Sequence, residues 1–356
     1  MDNLETTFKD ISSWIERDYF QTGGTRSKCI VVDNQNNEFY FKTSLKKEMK
    51  DYKYEFWSEI IASKLGKCLG FDILDYNIAL RNNEVGCLSK NMVNLNEDMI
   101  EGRQFMMGVD SNYDPINDKN KYTFKFIEST LLEYHLHKDI YSFIDTLIFD
   151  SLIGNGDRHQ ENWAFIIGKT SIADGKRKMQ TTKIHNKLMD SYIVKIIIGC
   201  VVAWISIKHM NSIKKIYKNI MLINNNLKGR YTPIYDSGSS LGRELDNNKI
   251  NNADDLFVEN YVKKGKAELR WENKKINHFE LISEISKYKN KYKKHIKRKI
   301  KLIKKNYNYQ TIQKIVREID KDLPQKYINY SLPMDRKEFI IKVIDTRYKI
   351  LNQSIR

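Results

Sequence analysis

A helix with apolar residues nearly all round has to be buried inside a sizeable lobe, and the stretch "IYSFIDTLIFDSLIG", residues 140 to 154, reads as one. It runs directly into "NGDRHQENWAFI", which sets Asp157, His159 and Asn162 between two apolar runs. A turn accounts for the Gly and Asn residues there. It does not account for an Asp followed five positions later by an Asn. The chain has the means to bury such a helix: 356 residues, 41% apolar and 12% aromatic, are enough for two lobes with a real core.

Upstream, Cys29 to Val32 and Phe39 to Phe41 are β-prone, and "DNQNN" between them is a turn. Residues 46 to 66 predict a helix, with Phe56, Ile60, Ile61 and Leu65 at helical spacing and Gly66 near its end. Two further β-prone runs, Asp75 to Leu80 and Val85 to Leu88, complete a small antiparallel sheet. The expectation is an α+β lobe ending near residue 92. From about residue 122 the pattern turns helical. Residues 281 to 303 predict one helix, with Ile282, Ile285, Tyr288, Tyr292, Ile296, Ile300 and Ile303 on one face and Lys or Arg over most of the rest. A last helix spans roughly 335 to 353. Tyr192 to Ile207, "YIVKIIIGCVVAWISI", is apolar but shorter than the roughly 18 to 20 residues of a membrane span. A packed element, an interface with a partner chain and a membrane-associated helix all remain open for it.

The four cysteines, Cys29, Cys68, Cys87 and Cys200, are far apart, which suggests neither a disulfide framework nor a zinc site and fits a reducing cytoplasm. The acidic start "MDNLETTFKD" lacks the basic, then apolar, pattern of a secretory signal. A formal charge of +16 would suit an anionic partner, but Lys, Asn and Ile abound throughout, so a solvated lysine-rich surface is the plainer reading.

Phosphoryl transfer from a nucleotide needs an acidic residue to orient the accepting hydroxyl, and an amide oxygen plus a second carboxylate to hold metal ions. In protein kinases these are an Asp, an Asn five residues on, and the Asp of a later D-x-G turn. Asp157 and Asn162 have that spacing, and "PIYDSGSSLG" supplies Asp236 in the one D-x-G of the chain. Lys42 closes the strand "FYFK", and Glu55 and Glu59, four apart, share a face of the following helix. Before them "TGGTRSK" offers Gly23 and Gly24, whose backbone can approach phosphate, with charge from Arg26 and Lys28. Each part alone is common, and His159 alone reads as a structural hydrogen-bonding residue. Their joint order gives them weight.

In "FYFKTS", "EFWSEIIASKLG", "FDSLIGNGDRHQENWAFI" and "YTPIYDSGSSLG", across most of residues 20 to 245, the chain resembles the HipA-like kinases, the short CtkA-like type in particular. The resemblance implies a bilobal protein-kinase-like fold, with a small antiparallel-sheet N-lobe over residues 1–92 and a larger, mainly helical C-lobe over 93–273. Residues 274–356 would form a basic helical C-terminal part of that lobe. It implies Ser/Thr phosphorylation of protein with ATP and Mg²⁺, by a growth-inhibiting toxin or an injected effector, with an antitoxin or regulatory partner open and the protein substrate unidentified. Carried over by position, Asp157 is the catalytic base, Asn162 and Asp236 the metal ligands, Lys42 the phosphate-binding lysine, Glu59 its helix partner and Lys28 the loop lysine. The sequence departs from the family in three places. Asp157 and Asp236 stand 79 positions apart (236 minus 157) where the family has a short hairpin, so about 168–230 reads as an insertion. The family's phosphoacceptor serine falls near Gln21 and Thr22, with Thr22, Thr25 and Ser27 as nearby hydroxyls. After about residue 275 no motif matches. "GDRHQEN" also resembles the catalytic loop of phosphoinositide kinases, and a basic surface would suit lipid headgroups. A kinase-shaped protein without turnover, or a nucleic-acid binder using the helix at 281–303, is the reading from another class.

Overall fold

The computed structural model describes residues 4–17, 28–47, 50–168 and 229–354. Their contacts group them into two units: Met1–Met92 with Tyr141–His159 and Pro233–Arg356, and Val93–Ile140 with Gln160–Thr232.

The first unit is built on a six-stranded sheet in the order β1-β7-β8-β4-β3-β2. Its strands are β1 (Phe8–Asp10), β2 (Ile15–Glu16), β3 (Lys28–Val32), β4 (Glu38–Lys42), β7 (Asn77–Arg81) and β8 (Glu84–Lys90). The four central strands are those the sequence predicts, and they pair antiparallel. The sheet extends further than expected: β1 adds to β7 in parallel, Phe8 opposite Ile78, and β2 pairs with β3. One face buries Ile11, Val31, Phe41, Ala79 and Leu88, with Trp14, Cys29 and Phe39 packed against them.

Helix α1 runs Glu55–Leu69, where the sequence predicts 46 to 66. Its start is later because Lys46–Lys47 (β5) and Lys50–Asp51 (β6) pair with each other as short strands. Its end is later because Gly70, at φ 80°, is the left-handed C-cap. Gly66 lies inside the helix instead, close against Ile73 and Phe149. Thirteen of the fifteen α1 residues are buried, which fixes its rotation and therefore the direction in which Glu59 points. The expected apolar helix is α4 (Ile140–Ile153); Phe149 packs on Phe71 with ring centroids 4.9 Å apart.

The helix predicted at 281–303 is two helices, His278–Tyr288 and Asn290–Asn306, broken at Lys289, which is extended (φ −142°, ψ 136°). Most of the predicted apolar stripe is kept, with Ile282 and Ile285 buried on the first helix and Tyr292, Ile296, Ile300 and Ile303 on the second, but Tyr288, at the break, is exposed. The break falls at Lys289, a residue type that gives no stop signal, so spacing alone joined the two helices into one. The last helix, Met334–Gln353, lies where expected.

In the second unit β9 (Glu97–Glu101), β10 (Ala164–Gly168) and β11 (Gly229–Tyr231) form an antiparallel sheet in the order β11-β10-β9. Helices α2 (Gly102–Val109) and α3 (Phe124–Glu133) accompany it, so helix begins earlier than residue 122. Phe105 sits edge-on to both Tyr134 and Phe165, at 5.1 and 5.2 Å between centroids. Ile167 on β10 pairs with Gly229 on β11, so the two ends of the expected insertion are neighbours. The apolar run at 192–207 lies outside the described residues. Among the described residues no helix is long and apolar enough to cross a membrane.

Candidate active site

Lys42 is the last residue of β4, and its side chain reaches α1 rather than solvent. It is 8% exposed, and its Nζ lies 3.3 Å from Glu59 Oε1 and 3.0 Å from Asp236 Oδ1. Burial alone would push this ammonium's pKa down, but the Asp236 carboxylate, with Tyr76 and Glu59, holds it well above its usual value. Lys42 therefore stays charged, shared between two acids brought from 17 and 194 residues away. Tyr76, itself buried, has its phenol pushed up by that burial, so it remains neutral beside the pair.

Of the two candidate helix acids, it is Glu59 that meets Lys42. Its other oxygen, Oε2, accepts from the Ser237 amide at 2.8 Å, so one carboxylate binds both the strand lysine and the loop that carries Asp236. Glu55, one turn earlier, accepts instead from Arg243 at 2.7 Å and from the Leu45 amide at 3.1 Å. Sequence spacing alone could not choose between the two, because residues four apart share a face.

The segment carrying Asp236 is held at several points. The Ile234 amide donates to the Asp72 carbonyl at 2.8 Å, and the Leu74 amide donates to the Ile234 carbonyl at 2.9 Å. Asp236 adopts a left-handed φ of 54°, turning its carboxylate toward Lys42. Gly238 follows in a crowded spot: a Cβ there would lie 3.2 Å from both Glu55 Cγ and Glu59 Oε1, so these side chains would have to give by a few tenths of an ångström. The Ser240 hydroxyl closes the turn by donating to the Ser237 carbonyl at 2.6 Å.

Asp157 is half-buried. Its amide donates to Asn155 Oδ1 at 3.1 Å, and its Oδ2 accepts from the Ser239 hydroxyl at 3.1 Å. The next residue, Arg158, is 1% exposed and grips Asp150 of α4 with two bonds, Nε to Oδ2 at 2.9 Å and Nη2 to Oδ1 at 2.8 Å. Its Nη1 also donates to the Tyr235 carbonyl, and Nη2 reaches Ser237 Oγ at 3.4 Å. This one guanidinium thus ties the helix before Asp157 to the segment around Asp236. The sequence reading did not single it out. A signal was present in Asp150, since an acid in so apolar a helix needs a cation or several donors to be buried.

The remaining predicted residues are distributed as follows. Lys28 begins β3 directly opposite Lys42, and its Nζ lies over the Tyr40 ring, 4.6 Å from the centroid. Asn162 is buried two residues before β10, in the second unit. His159 donates its amide to the Asp157 carbonyl at 2.9 Å. Gly23 and Gly24 lie outside the described residues. Among the described residues no three His, Cys, Asp or Glu side chains converge as a metal cluster. The acidic groups present are hard oxygen donors: Lys42 is one cation between two carboxylates, leaving a net negative charge at Asp236 that suits an oxygen-bound divalent ion such as Mg²⁺.

No family model matches the sequence, and no curated protein is a match to it. Among solved structures, the crystal structure of the Helicobacter pylori proinflammatory kinase CtkA superposes with a TM-score of 0.61 at 15% identity, covering 98% of each chain. The Shewanella oneidensis MR-1 toxin–antitoxin complex of HipA, HipB and operator DNA aligns with a TM-score of 0.40 at 12% identity, covering 96% of this chain and 67% of that one. The likeness to CtkA gives the chain its fold class: α+β and protein-kinase-like, with a sheet-based N-terminal part and a mainly helical remainder.

Proposed function

We propose that this chain is a HipA-like protein kinase that transfers the γ-phosphate of ATP to a Ser or Thr hydroxyl of a protein. The observation that carries the reading is the buried Lys42 held between Glu59 and Asp236, with Asp157 tied to the same loop through Arg158. Sharing the fold of CtkA, a kinase, supports it.

In this reading Lys42 binds the nucleotide phosphates and Glu59 keeps its ammonium in place. Because Glu59 also holds the Ser237 amide, it sets the distance between Lys42 and Asp236. Gly23, Gly24 and Lys28 belong to the loop that covers the phosphates. Asp236 and Asn162 would hold Mg²⁺, which supplies neutralisation of the charge on the phosphates. Asp157 takes the proton of the accepting hydroxyl. Its carboxylate already accepts from a hydroxyl, that of Ser239, at a distance usable for proton transfer. The lobes divide as 1–92, 93–273 and the basic helical 274–356, with Mg-ATP and a protein substrate as ligands and an antitoxin or other regulatory chain as partner.

The test is incubation of purified protein with γ-labelled ATP and Mg²⁺, wild type beside Asp157→Asn, with phosphosites read by mass spectrometry on the protein and on a bacterial lysate. Label on Ser or Thr that disappears in the variant is expected. Label that persists in Asp157→Asn removes the role given to Asp157. No label anywhere, with no ATP-induced rise in melting temperature, overturns the kinase reading.

A further inference from the structure

Beside Asp157, and not lined by Lys42 or Asp236, lies an open cleft of about 510 Å³. Its wall includes Arg347, Arg243, Lys264 and Lys266, with Glu244 as the other carboxylate besides Asp157. Arg243 is already paired with Glu55, and Glu244 accepts from the Tyr261 hydroxyl at 2.9 Å. Lys264 and Lys266 are exposed.

Arg347 is the unusual member. It lies within the last helix, is 1% exposed, and donates from Nη1 to the Ser151 carbonyl at 3.1 Å. Its Nε has no hydrogen-bond partner, and the Glu244 carboxylate in the same cleft attracts the guanidinium electrostatically without a hydrogen bond to it. Burial pushes its pKa down to about 10, so it is still a cation at neutral pH. Gly154 and Gly265 flank it: a Cβ on either would come within 2.7 Å of guanidinium atoms. Their missing side chains leave a guanidinium bordered by backbone at the wall of the cleft. Arg347 also caps the Ser151 carbonyl and lies 5.8 Å from the Phe279 ring, a cation–π contact, but neither supplies a countercharge. Burying a charge without a countercharge in contact costs free energy, which an anion entering the cleft would offset. The planar guanidinium also fits carboxylate or phosphate with paired bonds.

We infer that this cleft receives an anionic side chain, carboxylate or phosphate, of the polypeptide substrate close to the accepting hydroxyl, with Arg347 as its buried contact and Lys264 and Lys266 at its rim. The inference rests on the kinase reading for its substrate, but the site itself can be tested without turnover.

The experiment measures binding of three fluorescent decapeptides by anisotropy, each with a central Ser flanked by Glu, by phosphoserine or by Ala. Wild type is compared with Arg347→Lys and with the surface pair Lys264→Ala/Lys266→Ala, whose melting temperatures are recorded alongside. Wild type should bind the two anionic peptides about tenfold more tightly than the Ala peptide, and both variants should lose most of that preference. In the transfer assay, KM for the Glu peptide should rise relative to that for the Ala peptide. If Arg347→Lys fails to fold, the surface pair decides. Equal binding of all three peptides by wild type overturns the inference, as does a preference unchanged in the folded variants. Tighter binding of an oligonucleotide of equal charge overturns the choice of a polypeptide ligand. A charge preference lost in the variants, with no transfer to any peptide or protein, leaves the anion site standing and removes the kinase reading. Transfer without charge preference does the reverse.

Discussion

Lys42 shows what one residue can be made to do by its neighbours. Replacing it with Met leaves Glu59 and Asp236 facing each other, the former fully buried, without their cation. Loss of one partner from a buried pair costs about 3–5 kcal/mol. Urea unfolding of Lys42→Met should show a loss of that size, and adding Glu59→Gln should restore part of it. A Lys42→Met variant as stable as wild type would mean that the pair contributes nothing to the fold. His278 gives a pH prediction. It is 3% exposed, and burial, with the nearby Arg347 charge, holds its pKa well below 6.5. The folded state thus keeps it neutral while the unfolded chain can protonate it. Below pH 6.5 the unfolded state binds more protons, and stability falls as pH drops, by up to about 1.4 kcal/mol per pH unit from this group. Between pH 7.5 and 5.5 the melting temperature of wild type should therefore fall more than that of His278→Asn; equal falls would place the acid sensitivity elsewhere. Lys42, Glu59 and Asp236 were legible as candidates because each sits in a short motif of its own, and the structure brings the three together. Arg347 was not, since its meaning depends on two glycines about 80 and 190 positions earlier and on an absent partner, none of which leaves a local pattern.

At the scale of elements, periodicity located the buried faces better than the boundaries. The helix Asn290–Asn306 buries Tyr292, Ile296, Ile300 and Ile303 and turns most of its lysines outward, as its spacing requires. Ile296→Ala should cost about 2–5 kcal/mol, and Lys294→Ala, on the exposed side, within about 0.5 kcal/mol of nothing. Thermal melts of the two variants check this, and comparable losses would mean that the basic face is packed against something. The boundaries were harder to read because they are set by backbone. Lys289 carries no breaking residue type, yet adopts an extended conformation between two helices that share one apolar stripe. The late start of α1 likewise follows from the pairing of Lys46–Lys47 with Lys50–Asp51, residues whose composition suits a helix.

Taken whole, the chain accommodates a long interruption at a single point. Ile167 and Gly229 are paired neighbours on β10 and β11, so a turn of a few residues suffices to join these strands. Replacing 169–228 with four residues containing Asn-Gly should leave a cooperative melt within a few degrees of wild type. Loss of cooperativity would show that the replaced residues supply part of a core. The sequence pointed to an insertion here by the 79 positions between Asp157 and Asp236. It gave no sign that the chain's opening strand, β1, would join the sheet edge in parallel, because three residues are too few for a pattern. Long separations also carry a cost in time. Lys42 and its partner Asp236 are 194 residues apart. At the usual 5–20 residues per second of protein synthesis, roughly 10–40 s pass between making the one and making the other. Throughout that interval the nascent chain holds a lysine and a glutamate without the aspartate that completes them, and the trio closes only once that residue has been made.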